Sequence, residues 1–228
     1  MAPAPAVLFD IDGTLVDSNY LHVHAWQRAF TEMGLQIPSW RIHRCIGMDA
    51  ASLIDELTPG EVDASDRLKA LHARFYAETK DLIRPLPGAT DLLETVADLG
   101  LQVVLATSAP EDELLILLKV LDRDDIISAI TSSGDVEKAK PAPDIVCVAL
   151  HRAGVEPDRA VFVGDTVWDV AAAAGAGVEC LCLRSGGISQ AELEYAGATA
   201  VFDDPRDLAE HLGDTRIDRL ARLAIPKN

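Results

Sequence analysis

The hydrophobic pattern opens with AVLF at positions 6–9, a run too short for a helix and followed within four residues by Asp10, Asp12 and Gly13. It reads as a buried β-strand, with Gly13 turning the chain at its C-terminal end. From Gly88 onward, apolar runs alternate with stretches of helical periodicity. Strands are expected at residues 102–107, 126–130, 160–164 and 179–183, with an edge strand at 200–202. Helices are expected at 88–99, 110–120 and 143–153, each opened by a proline, and around 170–174. Runs such as VVLA and AVFV lack polar alternation, the pattern of strands covered on both faces in a parallel sheet.

Residues 17–86 differ, with helical periodicity and no convincing strand. Helices are expected at 19–33, stopped by Gly34, and at 40–46, 50–57 and 65–76. The chain therefore reads as an α/β protein: a Rossmann-like parallel-sheet core, residues 1–16 and 87–228, with an inserted α-helical cap domain, residues 17–86. Placed immediately after the first strand, such a cap can close over the strand tips, exclude water and carry selectivity. A short helix within 214–228 would present Arg216, Arg219 and Arg222 to solvent or to the acidic core.

With 228 residues and 49% hydrophobic content, the chain can bury a full core and leave room for a second lobe. Its net charge of -17, from 37 acidic against 20 basic residues, argues against binding nucleic acid or anionic membranes. No window approaches 18 apolar residues, and MAPAPA lacks the basic and apolar regions of a leader, so a soluble cytoplasmic protein is expected. Nothing in the pattern bears on oligomeric state. Cys45, Cys147, Cys180 and Cys182 show neither a CxxC pair nor histidines at zinc-ligand spacing; they are expected to be buried free thiols.

Four clusters of polar residues fall at strand ends, where open α/β sheets bind ligands. Asp10 and Asp12 emerge together and repel unless a cation or a proton lies between them. Thr107 and Ser108 follow a second strand, where hydroxyls and backbone N–H groups can meet phosphate oxygens, although Ser108 could equally cap the next helix. Lys140, in EKAKPAPD, is flanked by Pro141 and Pro143 and can neutralise an anion; nearby Lys138 is expected to be solvated. Asp165 and Asp169 add two carboxylates, and a hard divalent cation, magnesium above all, relieves the crowding.

The ordered set FDIDGTLVDS, ATS, KPAPD and VGDTVWD resembles the four motifs of the haloacid dehalogenase-like hydrolases with a small helical cap, in the branch of phosphoglycolate phosphatase and β-phosphoglucomutase. The resemblance implies Asp10 as nucleophile and Asp12 as general acid and base. It implies Thr107 and Lys140 as phosphoryl holders. Magnesium would sit on Asp10, the backbone carbonyl of Asp12, and Asp165, with Asp169 supporting or acting through water. A Mg2+-dependent phosphatase acting on a small phosphorylated metabolite, of sugar phosphate or phosphoglycolate type, is the expected activity. Asp12 argues against a dehalogenase, and neither Lys69 nor Lys80 matches the Schiff-base lysine of a phosphonate-cleaving relative. A sugar phosphomutase is the main alternative, because NYLHVHAW resembles that branch and His22 matches its cap histidine. GMDAASL lacks the arginine that mutases use for a second phosphate, though Arg41 and Arg44 lie near. A silent binding protein is the remaining alternative.

Overall fold

The computed structural model describes residues 3–60, 65–136 and 138–224. Six parallel strands, β1 (Ala6–Phe9), β2 (Gln102–Ala106), β3 (Ile127–Thr131), β4 (Ala160–Gly164), β5 (Glu179–Leu183) and β6 (Ala200–Phe202), lie in the order β3-β2-β1-β4-β5-β6. Strand order reverses at β1, and the crevice beyond the ends of β1, β2 and β4 is where such sheets take ligands. Phe9 pairs with both Leu105 and Val163, so the three strands finish level.

Helices α1 (Asn19–Glu32), α2 (Ser39–Cys45), α3 (Ala50–Leu57) and α4 (Ser65–Ala77) fall between β1 and β2. Helices α5 (Ala89–Asp98), α6 (Glu111–Leu121), α7 (Asp144–Ala153), α8 (Val167–Gly175), α9 (Gln190–Ala196), α10 (Pro205–Glu210) and α11 (Arg216–Ala224) complete the chain. Strand residues divide by parity. Val7, Phe9, Val103, Leu105, Val161 and Val163 pack with α5, α6, α10 and α11, whereas Ala6, Leu8, Val104 and Phe162 pack with α7, α8 and α9. Each large apolar side chain so buried contributes about 1.5–3 kcal/mol, which is why neither face tolerates polar alternation. The apolar cluster on the Phe9 side runs on into Trp26, Phe30, Leu68 and Phe75 of the helical insertion.

The two connections of the insertion run side by side. Asp17 N donates to Arg84 O at 2.9 Å, and Leu86 N donates to Leu15 O at 2.8 Å. None of the described helices is long and apolar enough to cross a membrane.

One detail refines the sequence reading and two depart from it. Helix α8 starts at Val167 because Thr166 and Asp169 form a reciprocal capping box. The short helices α9 and α10, capped by Ser189 and Asp204, were not anticipated. Cys147 is exposed, because the buried face of α7 is Ile145, Val146, Ala149, Leu150 and Ala153; Cys45, Cys180 and Cys182 are buried free thiols. Toward the C-terminus, Arg216 and Arg219 approach Glu179, and Arg222 pairs with Asp218; residues 225–228 of the expected helix lie outside the described residues.

Candidate active site

Beyond the strand tips lies a cavity of about 910 Å³ whose floor includes Asp10, Asp12, Thr107, Ser108 and Lys140. Lys140 is 1% exposed, and its Nζ donates to Asp10 Oδ1 at 2.6 Å and to Asp169 Oδ1 at 2.7 Å. One ammonium thus bridges the first and last of the four motifs. Burial opposes its charge, but the two carboxylates outweigh burial and raise its pKa above the ordinary lysine value. Lys138 is exposed, as expected.

Carboxylate oxygens of Asp10, Asp165 and Asp169 lie within 4.8 Å of one another, all three residues buried. Burial, joined by Asp169 and Asp12 and opposed by Lys140, pushes the Asp10 carboxyl up to about 7. Asp165 is raised well above the usual range by burial and by Asp169 and Asp10. A single lysine does not balance this cluster. Asp169 is saturated: Oδ1 receives Lys140, and Oδ2 receives Asp165 N, Thr166 N and Thr166 Oγ1. Asp165 is fixed by Thr14 Oγ1 at 2.9 Å and by Asn19 Nδ2 at 2.8 Å, and Asn19 Oδ1 is buried without a partner. Glycines make room for these acids. A Cβ on Gly186 or Gly13 would overlap the Asp165 carboxylate, and one on Gly164 would overlap Asp169.

Thr107 is buried, with Oγ1 accepting from Ala109 N at 3.0 Å. Ser108 does not cap α6, which starts from Pro110 without a side-chain cap; its Oγ is buried and unpartnered at the floor. An uncompensated buried hydroxyl of this kind gains by meeting an acceptor such as a phosphate oxygen.

Asp12 faces the helical insertion. Its Oδ1 accepts from Ser18 Oγ and lies 3.3 Å from His22 Nε2. Burial pushes this carboxyl up, yet the contacts with His22 and Ser18 bring it below the usual value. His22 Nδ1 lies 3.1 Å from His72 Nε2, and His72 Nδ1 lies 3.9 Å from Glu113 Oε1. The imidazoles are held by stacking, His22 on Tyr76 with ring centres 3.9 Å apart and His72 on Trp26 at 4.2 Å. Arg44, which lies near in sequence to where a second phosphate would be held, does not line the cavity; it pairs with Glu192 at 2.8 Å, while His43 Nε2 lies 2.8 Å from Gly186 O.

Asp10, Asp12, Thr107, Ser108, Lys140, Asp165, Asp169 and His22 therefore converge, and Arg44 does not join them. Sequence reasoning missed Thr14, Asn19, His72, Glu113 and Gly186. Thr14 and Asn19 flank the first motif and were within reach of it. His72 and Glu113 sit within α4 and the first turn of α6, where an isolated histidine and an acidic N-terminal turn carry no distinguishing signal.

A profile of the haloacid dehalogenase-like hydrolases matches residues 7–183. A phosphoglycolate phosphatase of Rhodospirillum rubrum is 32% identical over 219 residues, spanning 91% of this chain and 90% of that protein. A phosphorylated carbohydrates phosphatase of Thermotoga maritima is 30% identical over 178 residues, spanning 76% of this chain and 82% of that protein. A hydrolase from Pseudomonas syringae superimposes with a TM-score of 0.88 at 38% identity, covering 92% of this chain and 98% of that one. With its acidic residues and lysine gathered at level strand tips and this profile spanning most of its length, the chain belongs to the haloacid dehalogenase-like hydrolases.

Proposed function

We propose that this protein is a magnesium-dependent phosphomonoesterase working through a phosphorylated Asp10. The observation that carries this reading is the Lys140 bridge between Asp10 and Asp169, set beside Asp165 in a cavity also lined by an unpartnered Ser108 hydroxyl. Similarity to two phosphatases of phosphorylated metabolites adds support.

The donor set suits a hard cation: buried carboxylate oxygens, no nitrogen or sulfur ligand among them, and more negative charge than Lys140 balances. Asp10, the main-chain carbonyl of Asp12, and Asp165 would hold magnesium, with Asp169 kept behind them by its full set of hydrogen bonds. When bound, the cation supplies positive charge to the phosphoryl oxygens and to Asp10.

An oxygen of Asp10 attacks phosphorus as the ester P–O bond breaks. Lys140, Thr107 and Ser108 receive the phosphoryl oxygens, and Asp12 gives its proton to the departing alkoxide. The contacts with His22 and Ser18 hold Asp12 below the usual carboxylate value, and the negative charge of an arriving phosphate raises it, so that Asp12 takes up from solvent the proton it later gives to the leaving group. In the second half Asp12 removes a proton from water, which attacks the phosphorus and frees Asp10. Residues 17–86 act as a lid over the 1–16 and 87–228 core, excluding bulk water while the acyl phosphate exists.

The mutase reading is not favoured, because among the described residues no arginine lines the cavity, and Arg44 pairs with Glu192. The test is release of phosphate from 4-nitrophenyl phosphate with magnesium and with excess chelator, together with intact-mass measurement after rapid quench. Activity is expected to vanish on chelation and return with magnesium. Asp12→Asn should accumulate a phospho-adduct on Asp10, and Asp10→Asn should form none. Full activity in chelator, or an adduct on another residue, overturns the proposal.

A further inference from the structure

Glu113 is the buried acid that the mechanism above does not use. Its residue is 7% exposed, it lines the cavity, and no hydrogen bond to it occurs among the described residues. Its nearest polar neighbour, His72 Nδ1, lies 3.9 Å away, too far for a direct hydrogen bond. A buried carboxyl left without a donor is unfavourable. The gap, open to the cavity, thus presents two polar atoms awaiting a third group.

Building on the phosphatase reading, we infer that Glu113 and His72 form the recognition site for a polyhydroxylated leaving group, which makes the substrate a polyol or sugar phosphate. The hydrogen-bond bookkeeping decides between ligand chemistries. Both nitrogens of His22 are engaged, one by Asp12 and one by His72. If His22 donates to His72, then His72 presents Nδ1–H, and one hydroxyl accepts from it while donating to Glu113. If His72 donates, its Nδ1 is an acceptor beside the Glu113 acceptor, and two neighbouring hydroxyls fill the pair. A hydroxyl serves in either state because it both donates and accepts.

A carboxylate does not. An ionised Glu113 receives no proton from it and meets a second negative charge, and a Glu113 protonated to receive it must stay neutral at the pH of turnover, a demand that a hydroxyl does not make. In 2-phosphoglycolate the carboxylate is one carbon from the ester oxygen, so it must lie close to Asp12 and the residues beyond it. Among the described residues, the lysines lining the cavity besides Lys140 are Lys69 and Lys138; Lys138 is exposed, and Lys69 precedes His72 by nearly one turn of α4. Burial, with the nearby Asp12 and Asp112, holds the Glu113 carboxyl up at about 7 despite His22, as fits an environment hostile to added negative charge.

The experiment compares kcat/KM for ribitol 5-phosphate, glycerol 1-phosphate, 2-phosphoglycolate and 4-nitrophenyl phosphate, with magnesium, in the unmutated protein, Glu113→Leu and Glu113→Gln. The unmutated protein is expected to prefer the polyol phosphates over 2-phosphoglycolate by about 100-fold or more. Glu113→Leu should lower the ratio of polyol to aryl phosphate kcat/KM by about 10- to 100-fold, mainly through KM. Glu113→Gln, which retains an acceptor, should recover part of that ratio. A preference for 2-phosphoglycolate, or an equal loss on polyol and aryl substrates in Glu113→Leu, overturns the inference. Failure of the unmutated protein to hydrolyse even 4-nitrophenyl phosphate removes the phosphatase reading itself, and this inference with it.

Discussion

Lys140 carries two duties that pull in different directions. On the proposed function it aims a charge at the reacting centre, and in the structure it is the cation holding Asp10 and Asp169 together in a buried setting. Replacing it by Met should reduce turnover about 100-fold or more, by loss of a charge preorganised toward the phosphoryl oxygens. It should also cost the magnesium-free protein about 3–5 kcal/mol, because two buried carboxylates lose their partner. Urea denaturation in chelator measures the second effect separately from the first. Lys138→Met, on an exposed side chain two residues earlier, should change stability by no more than about 0.5 kcal/mol. Equal loss of stability at both positions would contradict the assignment of the bridging lysine.

At the scale of elements, the site is made by short segments meeting at close range. The turn after β5 brings Gly186 against Asp165 so closely that a methyl group has no room. Gly186→Ala should therefore displace Asp165 and weaken magnesium binding about 10- to 100-fold, the usual cost of disturbing the support of a ligand. Calorimetric titration with magnesium, alongside a melting curve to show an intact fold, checks this. The strands and the helical insertion were legible in the sequence because their signals are local: unbroken apolar runs for β1, β2, β4 and β5, and 3.6-residue periodicity for α1 to α4. Asp10, Asp12, Lys140 and Asp165 were legible because each stands at the end of such a run or beside restricting prolines. Gly186, Asn19, His72 and Glu113 were not, since their importance lies in which distant residue they touch. Arg44 was misread for the complementary reason: its nearness to the site along the chain says nothing of the side of α2 on which it projects, and Glu192 captures it there.

For the whole molecule, the buried acids tie stability to pH and, on the proposed function, to magnesium. The Asp10 carboxyl rises from 3.8 to about 7 on folding, so the folded state binds its proton more tightly than the unfolded chain does. That stabilising contribution is complete below pH 3.8 and is lost as pH rises through about 7, a swing on the order of 4 kcal/mol before compensation by neighbouring groups. Asp165 shifts in the same direction. On the proposed function magnesium displaces these protons, so its stabilising effect should grow across the same window. Melting temperatures at pH 5 and pH 8, each with magnesium and with chelator, are expected to show the larger increment at pH 8. An equal increment at both pH values would mean that the cation binds elsewhere. One further tie follows from Asn19, the first residue of α1, whose amide grips Asp165 and also reaches Gly186 O, the acceptor approached by His43 of α2. The carboxylate proposed to hold magnesium and the helical insertion are thereby linked, and linkage is reciprocal. On the proposed function, a substrate that draws these helices toward the core should also tighten the hold on the ion, and departure of product should relax both, so that the cation is retained most firmly in the middle of the catalytic cycle.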